Sequence, residues 1–67
     1  MINERIKQLR TDKGIMQNHM ADRLGIHRAT YHRIENGKSK IDANLLPRVA
    51  ELLGVDVQEL IRNDKEE

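Results

Sequence analysis

The residues with the most chemistry to offer lie between 17 and 36, in the run QNHMADRLGIHRATYHRIEN. There His27, Arg28, Ala29, Thr30, His32 and Arg33 alternate with Tyr31 and Ile34. At about 100° per residue, Tyr31 and Ile34 lie within about 60° of each other and belong on a buried face. Arg28, Ala29, His32 and Arg33 then spread over about 140° of the opposite side. An arginine fork can donate two bonds to O6 and N7 of guanine, and an alanine permits close approach to a thymine methyl. His27 and Thr30 flank this face near the helix start, within reach of a base edge or a phosphate. Such a stripe suits the DNA major groove; the same residues on an ordinary surface helix would be solvated charge.

Other chemistries find less support. Histidines 19, 27 and 32 raise the question of a metal. Helical ligand pairs want a spacing of three or four, whereas His27 and His32 stand five apart across a helix start, so no metal and no cofactor is expected. The chain has no Gly-rich phosphate loop and no Ser-His arrangement with an orienting group. Ser39 stands alone and reads as solvent-facing, and neither an enzyme nor a small-molecule substrate is expected. The absence of cysteine removes disulfides and thiol chemistry. Tyr31 is the one aromatic, which argues against single-strand binding on stacking platforms. No apolar run exceeds two residues, so neither a membrane span nor a signal-peptide core is expected.

The elements that must position these residues are legible from periodicity and punctuation. Glycines at 14, 25, 37 and 54 each end a stretch of helical spacing. Ile2, Ile6 and Leu9 precede the first, Met20, Ala21 and Leu24 the second, Tyr31 and Ile34 the third, and Val49, Ala50, Leu52 and Leu53 the fourth. Ile15, Ile26 and Val55 follow three of these glycines and can fold back on the last turn. Pro47 belongs in a first helical turn, which places the start of the fourth helix between Asn44 and Leu46. Residues 36 to 43 are then a polar, basic loop. A fifth helix follows Asp56, with Glu59 placed as in a capping box and Leu60-Ile61 on its apolar face. No stretch alternates with period two. The expectation is an all-α domain of five short helices over residues 1–62 and a frayed polar tail over 63–67.

Several features combine in register: small Ala21 where two helices must approach, Gly25 where the chain reverses, Gly14-Ile15 with Gln17 opening the second helix, and Arg33-Ile34-Glu35-Asn36-Gly37-Lys38 closing the third. With them the chain resembles the phage-repressor (Xre-like) family of bacterial DNA-binding domains, from Ile2 to about Ile61. The resemblance implies a compact lambda-repressor-like domain whose second and third helices form a helix-turn-helix. It implies that the helix His27–Glu35 reads bases through His27, Arg28, Ala29, His32 and Arg33. Gln17, Asn36 and Lys38 take phosphate roles by the same resemblance, and Asn18, Thr30 and Lys40 join them by position. Gln17 and Asn18 open a helix, where free N–H groups favour an anion. Similar domains pair Arg10 with Glu35 to tie helix one to helix three. Met16 and His27 depart from the pattern, since relatives usually place Ser, Thr or Asn there as caps. Tyr31 replaces an aliphatic residue, and the sequence leaves its hydroxyl without a named partner.

The implied function is sequence-specific recognition of double-stranded DNA by a transcriptional regulator, a repressor, in the bacterial cytoplasm and associated with the nucleoid. Such domains pair as homodimers on palindromic operators. An alternative is an antitoxin that binds a protein toxin and represses its own operon. The net charge of +1 averages two unlike halves. Residues 1–40 hold nine Lys and Arg against four Asp and Glu, or +5; residues 41–67 hold three against seven, or −4.

Overall fold

Helix α1 runs Ile2–Asp12, α2 Gln17–Leu24, α3 Arg28–Glu35, α4 Leu46–Leu53 and α5 Val57–Ile61 in a computed structural model that describes residues 2–61. The five helices and a single 3₁₀ turn, Ala43–Leu45, are the regular elements among the described residues, and there is no strand among them. The expected polar tail, 63–67, lies outside the described residues.

Local chemistry accounts for the boundaries. Past α2, Gly25 takes a left-handed conformation (φ 73°) that costs an L side chain about 1–2 kcal/mol. There its N–H donates to the Asp22 carbonyl at 3.3 Å and Ile26 N–H to the Ala21 carbonyl at 3.1 Å, closing the helix as a Schellman end. The same pair of bonds closes α1 at Ile15, α3 at Lys38 and α4 at Val55. Asp42 caps the 3₁₀ turn by accepting from Asn44 N–H at 2.9 Å, and the α-helix proper then begins at Leu46 with Pro47 in its first turn. A missing N–H costs nothing in a first turn, where no helical partner exists.

The core is built from one stripe of each helix. Ile6, Met20, Ala21, Tyr31, Val49, Leu53 and Leu60 are fully buried, and Leu24, Ile34 and Ala50 are nearly so. Small Ala21 and Ala50 let α2 and α4 approach. Helix α1 crosses α3 and α5, while α4 lies on α2 and α5, so α3 is backed by α1 and α2. The buried residues of α1 are Asn3, Ile6 and Arg10, with Ile2 and Leu9 only partly covered. The inward face of α1 is therefore centred differently from the purely apolar stripe Ile2-Ile6-Leu9, because two polar side chains have partners inside. At α5, Glu59 does not complete a capping box. Arg5 of α1 takes its carboxylate at 3.1 Å and its backbone carbonyl at 3.1 Å, so Glu59 ties α5 to α1.

Candidate nucleic-acid interface

Glu35, at the last turn of α3, is the hub from which the interface is built. Its side chain is fully buried and that of Arg10 is 10% exposed. Arg10 donates from Nε to Oε2 at 2.5 Å and from Nη2 to Oε1 at 3.0 Å, and its Nη1 holds the Ile15 carbonyl. The Tyr31 hydroxyl donates to Oε2 and Gln17 Nε2 to Oε1 at 2.9 Å. Each carboxylate oxygen thus accepts two bonds, which fills the carboxylate's acceptor sites. Burial alone would push the Glu35 carboxyl up. The bonds from Arg10, Tyr31 and Gln17 outweigh it and hold that carboxyl below its usual range. Burial, then the neighbouring carboxylate, push the Tyr31 phenol up, so its hydroxyl keeps its proton and donates. One buried charge joins α1, the start of α2 and two turns of α3.

The opposite side of α3 is open. His27, Arg28, Ala29, Thr30, His32 and Arg33 are all exposed, while Tyr31, Ile34 and Glu35 are buried. His27 sits at the N-cap of α3 and Met16 at that of α2, both extended and neither making a side-chain cap bond. The first N–H groups of both helices consequently have no side-chain cap. Arg28 is engaged by Asp22 of α2 in a two-pronged pair, Nη2 to Oδ2 at 3.0 Å and Nε to Oδ1 at 3.3 Å. Arg28 draws the Asp22 carboxyl below its usual range, yet both side chains are more than half exposed and the pair contributes little to stability. His32 Nδ1 lies 3.2 Å from Gln17 Oε1.

Asn18, Asn36, Lys38 and Lys40 are exposed at the two flanks of α3, and Gln17 is half-buried between Glu35 and His32. Lys38 and Lys40 border a groove whose other wall is α1, where Lys7 and Gln8 face them. Two residues of this region escape a reading by periodicity. Asn3 is buried and donates to the carbonyls of Ile34 at 2.6 Å and Ser39 at 3.1 Å, fixing the chain as it leaves α3. Ser39 is half-buried rather than solvent-facing, because Asn3 binds its carbonyl and Arg33 Nε approaches its hydroxyl at 3.4 Å. The signal for Asn3 was its place three before Ile6 and seven before Arg10, on the face that turns inward.

A family model described as a helix-turn-helix domain matches residues 3–66. The chain belongs to the helix-turn-helix domain family. Its relatives agree in kind. The domain is 42% identical over 62 residues to the SPbeta prophage-derived uncharacterized HTH-type transcriptional regulator YonR of Bacillus subtilis (strain 168), covering 92% of this chain and 57% of that one. It is 33% identical over 67 residues to the uncharacterized HTH-type transcriptional regulator YqaE of the same organism, covering all of this chain and 58% of that one. The chain spans a little over half the length of these curated relatives. Among solved structures, the restriction-modification controller protein C.AhdI from Aeromonas hydrophila superposes with a TM-score of 0.79 at 27% identity, over 88% of this chain and 89% of that one. In this helix-turn-helix domain α2 and α3 are the two helices of the motif and Gly25 begins the turn between them. No helix among the described residues is long and apolar enough to cross a membrane.

Proposed function

We propose that this helix-turn-helix domain binds double-stranded DNA sequence-specifically and represses transcription. The observation that carries the reading is the division of α3, in which five residues and the N-cap His27 stand exposed while Tyr31, Ile34 and Glu35 lock its back to the core. A helix held that firmly can present His27, Arg28, Ala29, His32 and Arg33 to base edges in a major groove. Gln17, Asn18, Thr30, Asn36, Lys38 and Lys40 then contact phosphates on either side and set the register. Two copies bind as a homodimer on a palindromic operator, with half-sites about one helical turn apart. This role places the protein on the nucleoid. The relatives' names as transcriptional regulators support it, and none of them points to a toxin partner.

Selection of binding sites from a random duplex library, with the purified protein, tests the reading. A shared motif with two-fold symmetry is expected. Arg33→Ala is expected to cost about 1–3 kcal/mol and to relax preference at one base pair. Recovery of no common motif would sink it.

A further inference from the structure

We infer that Glu35, acting through Gln17, fixes which ring nitrogen of His32 carries the proton, and thereby which bases His32 accepts. The inference rests on the DNA-binding reading above for its second half and on the free protein alone for its first.

Glu35 is ionised, fully buried and bonded twice by Arg10, so both its oxygens only accept. The Gln17 atom 2.9 Å from Oε1 must therefore be the amide nitrogen, and the amide oxygen is turned the other way. That oxygen faces His32 Nδ1 at 3.2 Å. An amide oxygen has no proton to give, so Nδ1 must donate. In a neutral imidazole the proton on Nδ1 leaves Nε2 bare, an acceptor. His32 is exposed on the open side of α3, and its Nε2 is the atom left to meet a base.

In the major groove the donors are N4 of cytosine and N6 of adenine; guanine and thymine offer acceptors at the corresponding edge positions. A His32 held in this tautomer selects cytosine or adenine at its contact. Without Gln17 the ring is free to carry its proton on Nε2 and to donate to guanine or thymine as well. Gln17 is thus a positioning residue for specificity as well as a candidate phosphate contact. The two roles separate experimentally, because a phosphate contact weakens all sequences alike whereas a tautomer lock discriminates at one base pair.

The test has two arms, both at about pH 8.5, where an ordinary imidazole is neutral. In the first, nitrogen NMR of the free, uniformly labelled protein reads the His32 tautomer. The proton is expected on Nδ1, and Gln17→Ala is expected to lose that preference while keeping a dispersed, folded spectrum. A wild-type His32 with its proton on Nε2 overturns the inference without any variant. In the second, random-duplex selection compares wild type, Gln17→Ala and His32→Ala. Wild type is expected to exclude guanine at one position, and Gln17→Ala to regain it there by roughly two- to tenfold relative to the other positions, the worth of one hydrogen bond. Equal weakening on every sequence, with an unchanged motif, would confine Gln17 to the phosphate and overturn the specificity claim. If wild type selects no motif at all, the DNA-binding reading fails, and with it the base preference, while the tautomer measurement still decides the first half.

Discussion

Glu35 shows how much one side chain can decide. A buried carboxylate is costly unless it is paired and every lone pair is used, and four donors from Arg10, Tyr31 and Gln17 meet that demand. Glu35→Gln keeps the shape but removes the charge and sets an amide N–H₂ against donors. It is expected to cost about 3–5 kcal/mol in urea or thermal unfolding, as breaking a buried pair does. A loss below about 1 kcal/mol would show that the pair is dispensable. The same carboxyl makes stability depend on pH. Its pKa is depressed in the folded protein from an ordinary value of 4.5, so its contribution is complete above that value and is lost as pH falls through the depressed one. Urea midpoints measured down the acid range are expected to fall there. Because Asp22 is also depressed by Arg28, Asp22→Asn is the control background: the acid loss attributable to Glu35 persists in it. An unchanged midpoint through that window would contradict the depressed value.

At the scale of elements, the helices announce themselves through short-range chemistry. Glycines beyond α1 to α4, Pro47 in the first turn of α4 and Asp42 at the 3₁₀ turn act over three to five residues, the range in which a sequence is most readable. What periodicity misses is the set of bonds between elements. Asn3 reaches the end of α3, Arg5 reaches Glu59 and Gln17 reaches Glu35, across separations of 31, 54 and 18 residues. No local pattern reports which polar side chain will find a partner that far away, and so Ser39, whose carbonyl Asn3 binds, reads from the sequence as solvent-facing. The exposed face of α3 was readable because its two buried neighbours, Tyr31 and Ile34, fix its phase. The motif's own helices carry two weak points that local chemistry can repair or aggravate. Met16 is 69% exposed at an N-cap that makes no side-chain bond, so Met16→Ser loses little packing and is expected to raise stability by about 1 kcal/mol. No gain in the unfolding midpoint would mean that these N–H groups already have an equivalent partner. At Gly25 a Cβ would meet nothing within 4 Å, yet φ is +73°. Gly25→Ala is expected to cost about 1–2 kcal/mol of purely backbone origin, and Gly25→Asn distinctly less. Equal costs for the two would locate the effect elsewhere than in backbone conformation.

For the molecule as a whole, a net charge of +1 averages two unlike halves of the sequence. The half that contains α1 to α3 and the lysine loop carries +5, and the half that follows carries −4. With this division a polyanion is expected to approach the half that holds α1 to α3. The salt dependence of affinity measures this division, because each phosphate neutralised releases condensed cations and adds about one to the slope of log K against log salt. Lys38, exposed beside the end of α3, is expected to contribute, so Lys38→Ala is expected to shallow that slope by about one and to weaken all duplexes alike. Arg48 is also exposed and cationic, but it lies on α4 in the acidic half, 3.5 Å from the Glu51 carboxylate. Arg48→Ala is expected to leave the slope where it was. Fluorescence anisotropy titrations from low to moderate salt distinguish the two variants. If both shallow the slope equally, the protein's charge acts on DNA as an undirected sum, and the division into a basic face and an acidic remainder has no bearing on how it docks.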